Sequence, residues 1–147
     1  MADFVLGLDA KLYRNTGSFG SPNWTLMPNV KDLTLGLEKD EADVTTRGAN
    51  GWKQMAATLK NANVEFQMVW NPTDAGFTAI KNAFLNNTNI EMLVLDGAYN
   101  VTGSQGLRAE MMVANFTREE NLTEALTVNV SVKPAYSVNA PSWFTAP

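Results

Sequence analysis

Apolar side chains recur at every second position along much of this chain, and that period admits little besides β-structure. In "LTEALTVNVSV", Leu126, Val128, Val130 and Val132 share one face while Thr127, Asn129 and Ser131 share the other. "NVEFQMVW" sets Val64, Phe66, Met68 and Trp70 against Glu65 and Gln67, and "VKDLTLGLE" sets Leu33, Leu35 and Leu37 against Thr34 and Gly36. Each reads as a strand with one face on a core and the other on water or a partner. The opening "FVLGLDAKLYR" keeps the same phase through Phe4, Leu6, Leu8, Ala10 and Leu12. "NIEMLVLD" (89–96) is apolar almost throughout, which predicts a strand covered on both faces. In "LRAEMMVANF" the phase slips at Met111–Met112, as a β-bulge would make it do. "WKQMAATLK" is expected to form a hairpin with the Val64 strand by turning through "KNAN".

One segment has helical spacing instead. "NPTDAGFTAIKNAFLNN" offers Asn71 as a cap, Pro72 in the first turn and Asp74 at the positive end of the helix dipole. Phe77, Ile80 and Phe84 follow on one stripe, and Asn86–Asn87 can end the element. The expected fold is mainly β, a sandwich or barrel of about seven strands with one flanking α-helix near residues 72–87. All 147 residues fit one domain. Polar loops are expected at 15–29, 40–51 and 97–106, and Pro134, Pro141 and Pro147 mark a short extended C-terminal tail.

The chain has no histidine and no cysteine. That removes the usual general base, the commonest zinc ligand, thiolate chemistry and disulfides. A net charge of -4, with basic residues scattered singly, argues against a surface built to grip nucleic acid. No apolar run is long enough for a membrane span, and the N-terminus lacks the layout of a signal peptide, so synthesis in the cytoplasm is expected.

The acids Glu38, Asp40, Glu41 and Asp43 are the tempting site. Calcium needs oxygen ligands at alternating positions and a closing carboxylate, whereas Ala42 and Val44 intervene and no acid follows before Glu65. A solvated loop is the better reading. The glycines of "GSFGSPNW" and "RGANGWK" lack the Lys-Ser/Thr ending of a phosphate loop. Glu65, Glu91 and Glu110 each fall on a strand and are expected to form a row of exposed acids rather than a glycosidase pair. Trp70 is in phase with the core; Trp24, Trp52 and Trp143 lie by loops or the tail, where aromatics anchor protein contacts or fold back as caps. No catalytic residue, metal ligand or cofactor is assigned.

The opening strand, the "VKDLTLGLEKDEADVTTRG" strand with its polar loop, and the "GWKQMAATLKNANVEFQMVWNPTDAGFTAIKNAFLNNTNIEMLVLDG" unit resemble a tail tube (major tail) protein of a long-tailed bacteriophage. "DVTTRG…GWK" followed by a "D-x-x-F-x-x-I" helix is the most family-like portion. The resemblance covers nearly the whole chain. It implies a non-enzymatic subunit that forms hexameric rings, stacked into a tube through which DNA passes without specific binding. It also implies contacts with other tail proteins, such as the tape measure and tail terminator, assembly in the host cytoplasm and a place in the virion. In that setting 40–51 becomes an inter-subunit loop, ordered on assembly and mobile in the free chain. Asp40, Glu41, Asp43 and Arg47 supply polar complementarity, and Trp52 packs at the base. The alternatives are a type VI secretion tube protein, a small-ligand-binding barrel, which the mid-chain helix disfavours, and a two-carboxylate carbohydrate enzyme.

Overall fold

A computed structural model describes residues 6–120, 122–123 and 125–147. Strands β1 (Lys11–Asn15), β2 (Trp24–Leu26), β3 (Val30–Asp43) and β4 (Met55–Val69) precede a single α-helix, α1 (Ala75–Asn86). Strands β5 (Ile90–Leu95), β6 (Gln105–Glu119), β7 (Thr127–Pro134) and β8 (Ser142–Thr145) follow. They form one antiparallel eight-stranded sheet in the order β2-β1-β5-β6-β7-β4-β3, with β8 added to β6. The fold is therefore mainly β with one flanking helix, as the periodicity predicts.

The alternation becomes burial. Val64, Phe66 and Met68 of β4 lie opposite Val132, Val130 and Val128 of β7, and all six are in the main core. Trp70 is half-buried against that core and meets Phe77 edge-to-face at 4.8 Å. Helix α1 closes it with Gly76, Phe77, Ile80 and Ala83, while Phe84 is partly exposed and stacks on Phe116 of β6. β5 is buried on both faces. Met92 and Val94 join the main core, and Leu93 and Leu95 pack with Tyr13, Trp24 and Phe144 in a second cluster.

Several local expectations are corrected. No turn occurs at 60–63: β4 runs unbroken from Met55 to Val69, because β3 pairs along its whole length. The helix starts later than 72. Asp74, not Asn71, is its N-cap, accepting a 2.9 Å hydrogen bond from the Phe77 N–H. Pro72 thus precedes the helix, and Asn87 ends it in the left-handed conformation at φ 55. Asp74→Ala should lower stability by about 1 kcal/mol, a melting-point fall of roughly 3 °C, read by circular dichroism. The bulge in β6 falls between Val113 and Asn115 rather than at Met111–Met112. At the N-terminal end, Gly7–Asp9 form a 3-10 turn with Leu6 and Leu8 exposed, so the strand expected there begins only at Lys11; Phe4 lies outside the described residues. In the C-terminal tail, Ser142–Thr145 pair with β6 as β8.

Glu91 departs most from the expected row of exposed acids. It is 8% exposed, and its Oε1 accepts from Arg108 Nε at 3.1 Å and Asn15 Nδ2 at 3.0 Å. Arg108 also donates to the Phe19 carbonyl at 2.7 Å and lies 4.1 Å from the Phe19 ring centroid. The pair fastens the 16–23 loop to the sheet. Glu110 is partly buried and accepts from the Ser137 hydroxyl, holding the segment after β7. Only Glu65 of the three is exposed.

Candidate assembly surfaces

β4 pairs with β7 only from Val64 onward, so N-terminal to that point it has β3 alone as a neighbour. Residues 36–43 and 55–63 therefore leave the body as a two-stranded ribbon. A ribbon of this kind is marginal in water unless something covers it. Its strands continue to Asp43 and Met55, so Asp40, Glu41 and Asp43 sit on strand β3 rather than in a loop. The non-strand tip is only 44–54, and it is well hydrogen-bonded. Val44 N–H donates to the Gln54 carbonyl at 3.0 Å, and the Thr45 hydroxyl accepts from Gln54 N–H at 2.8 Å. Arg47–Ala49 form a 3-10 turn, and Asn50 and Gly51 reverse the chain at φ 53 and 84. Thr45, through its hydroxyl and then its backbone N–H, holds the Asp43 carboxyl below the ordinary aspartate pKa.

The ribbon is exposed almost throughout, yet it carries Leu37, Val44, Met55, Leu59 and, at 76% exposure, Trp52. Its acids Glu38, Asp40, Glu41 and Asp43 are matched in number by Lys39, Arg47, Lys53 and Lys60. None of these eight forms an ion pair; among the described residues the pairs are Arg108–Glu91 and Arg118–Glu120. Lys39 even stands directly opposite Lys60, a like-charge placement that is unfavourable in an isolated ribbon. Large apolar groups and unmatched charges exposed on one arm are the chemistry of a contact surface.

A second surface is the outer face of β4, β7 and β6. Thr34, Glu65, Ser131 and Asn115 lie across one row, and Gln67, Asn129 and Thr117 across the next. Their side chains bond sideways to one another. Gln67 Nε2 donates to Asn129 Oδ1 at 3.2 Å, Asn129 Nδ2 to Glu119 Oε1 at 2.7 Å, and Ser131 Oγ to Asn63 Oδ1 at 2.9 Å. The result is a polar wall of amides and hydroxyls, with acids at Glu65 and Glu119 and lysines at Lys31 and Lys133.

Among the described residues no cluster of three or more acids could hold a metal ion. The sequence profile of the phage tail tube protein family matches residues 10–136. The chain belongs to that family. This tail tube protein is a structural component of the virion tail, and its resemblance to the family was visible in the sequence. A search of curated protein sequences gives no match.

Solved structures share the fold. The tail of an empty gene transfer agent particle, refined helically with C6 symmetry, superposes at a TM-score of 0.74 with 15% identity, covering 95% of this chain and 98% of that one. The SPP1 tail tube gives 0.68 and 16% identity, over 88% and 74% of the two chains. The sheath–tube complex of an extracellular contractile injection system gives 0.65 and 6% identity, over 97% and 93%. At such identities the shared property is the fold.

Of the residues singled out in the sequence, Asp40, Glu41, Asp43, Arg47 and Trp52 all lie on the ribbon, but Trp52 stands exposed in its tip instead of packing at the base in the single chain. Sequence reasoning missed Leu37, Met55 and Leu59 as ribbon residues. In sequence Leu37 and Leu59 are followed directly by the charged Glu38 and Lys60, and alternation alone assigns both leucines to a core.

Proposed function

We propose that this chain forms hexameric rings that stack into a tail tube through which DNA passes, with the β3–β4 ribbon gripping a neighbouring subunit. The observation that carries this reading is the ribbon itself, an uncovered two-stranded arm with unpaired charges and exposed apolar side chains on a tail-tube fold. The C6 symmetry of the gene transfer agent tail supports six as the ring number. The polar outer wall suits the lumen. Its amides and hydroxyls are already bonded to one another and its few lysines are offset by Glu65 and Glu119, so it offers phosphates little to bind, whereas a strongly basic wall would retain DNA by releasing counterions. Asp40, Glu41, Asp43 and Arg47 provide matching charge, and Trp52 becomes buried on assembly. The tube's ends meet the tape measure and tail terminator, and rings assemble in the host cytoplasm before the tail joins the virion.

Negative-stain electron microscopy with sedimentation tests this. The purified chain at high concentration should give rings or tubes, and a persistent monomer would count against self-assembly. Deleting 41–50 should leave a folded monomer that forms no long tubes. Tubes of ordinary length from that variant would remove the ribbon from the assembly mechanism.

A further inference from the structure

The two ends of the sheet, β2 and β3, do not pair with each other. Between them lies an open cleft of about 690 Å³, lined by the segment before β1 (Gly7, Leu8 and Ala10), by β1, by the end of β2 with the β2–β3 connection, and by the start of β3. A second cleft of about 390 Å³ shares Ala10 and Leu33 with it and continues to Leu35, Val94 and Trp143. The floor is apolar, with Leu12 and Met27 buried and Leu26 45% exposed. The rim carries Lys11, Lys31 and Asp32. β3 has β4 on one side only, so its other edge is open along this cleft.

We infer that this cleft receives the tip of the β3–β4 ribbon from a second copy of the chain; the inference rests on the tube reading and names the receptor for its arm. Three observations converge. First, the ribbon presents Val44, Trp52 and Met55, apolar groups exposed in the single chain, and the cleft offers an apolar floor at Leu12, Met27 and Leu26. Second, the charges match. Glu41 and Asp43 can face Lys11 and Lys31, while Arg47 and Lys53 can face Asp32. Third, the chain cannot satisfy itself. Cleft and tip lie on the same strand, with Leu35 and Val44 nine steps apart, roughly 30 Å at about 3.3 Å per residue. A rigid extended strand cannot fold its tip back onto its own base. Tip and hole are thus different surfaces on one molecule, and the contact is heterologous, closing into a ring or propagating along an axis.

The absence of native cysteine makes the test direct. Two single variants, Lys53→Cys beside the tip tryptophan and Leu26→Cys in the cleft, are mixed, assembled and treated with a short bis-maleimide. A control replaces Leu26→Cys by Leu85→Cys on the exposed side of α1. The tip–cleft mixture should give covalent dimers at tenfold or more above the control. Separately, Ala10→Trp should fill the hole, leaving thermal unfolding of the monomer unchanged while abolishing long tubes. Tubes that form without cross-linking above the control, or Ala10→Trp tubes of ordinary length, would overturn the docking and leave the tube reading standing. Failure of the unmodified chain to assemble at all would instead defeat the tube reading, and the docking with it.

Discussion

Gly106→Ala should destabilise the fold severely. Gly106 lies inside β6, paired with Leu95 of β5 on one side and Phe144 of β8 on the other. A Cβ built there would stand 1.6 Å from the Val94 carbonyl oxygen, 2.7 Å from its carbon and 3.1 Å from the Leu95 Cα. All three are backbone atoms, so no rotamer change relieves the clash and β5 must separate from β6. That separation would open the Val94–Leu107 pair, both buried in the main core. Overpacking commonly costs about 1–3 kcal/mol, and a backbone-against-backbone clash belongs at or beyond the upper end. Against a total stability of about 5–15 kcal/mol, that is a large fraction. The urea midpoint of the soluble monomer should fall sharply and soluble yield with it. An unchanged midpoint would show that β5 and β6 are not so closely apposed.

Arg108→Met should be nearly as damaging, for an electrostatic reason. The Glu91 and Arg108 side chains are 6% and 17% exposed, and the carboxylate is held by the guanidinium and by Asn15. Removing the cation leaves a buried anion with one side-chain donor, a change that costs about 3–5 kcal/mol. The Phe19 carbonyl loses its partner at the same time, and the Phe19 and Trp24 rings lose the cation above them. The double variant Arg108→Met/Glu91→Leu should recover most of the loss, since apolar replacement of both members of a buried pair is often close to neutral. A double-mutant cycle by urea unfolding reads the coupling directly. If the double variant is as unstable as the single one, the damage comes from lost packing around Phe19 rather than from an unpaired charge.

Glu91 also shows where sequence reading stops. It alternates correctly with Met92, and nothing local distinguishes it from the exposed Glu65. Its burial depends on Arg108, seventeen residues away across a strand pair, and on a loop that folds over both. The absent turn at 60–63 has a similar origin. Asn61–Ala62–Asn63 has turn-like composition, but β3 pairs residue by residue through that stretch, and a continuous ladder outweighs local preference. The helix start was misplaced by three residues because Asn71 and Asp74 are both competent caps; only the observed Asp74–Phe77 bond distinguishes them.

The assembly residues were partly legible. The acids, Arg47 and Trp52 stood out as a polar segment between core-patterned strands, although the segment proved to be mostly strand with a short tip. Leu37, Met55 and Leu59 did not stand out, because a period of two gives the same pattern whether the apolar face meets its own core or another molecule.

By itself, the sequence determined the β class, the single helix, the core faces of β4 and β7, the two-sided burial of β5 and the family resemblance. The fold features follow from periodicity and composition, which act over neighbouring residues; the family resemblance rests on the order of these elements and on the "DVTTRG…GWK" segment with the helix that follows it. Only the tertiary structure decided that β3 and β4 outrun β7 to leave an uncovered ribbon, that β2 and β3 leave an open cleft, and that Glu91 lies buried beside Arg108. Those features depend on which strands become neighbours and where their pairing ends, and contacts between distant residues leave no local period.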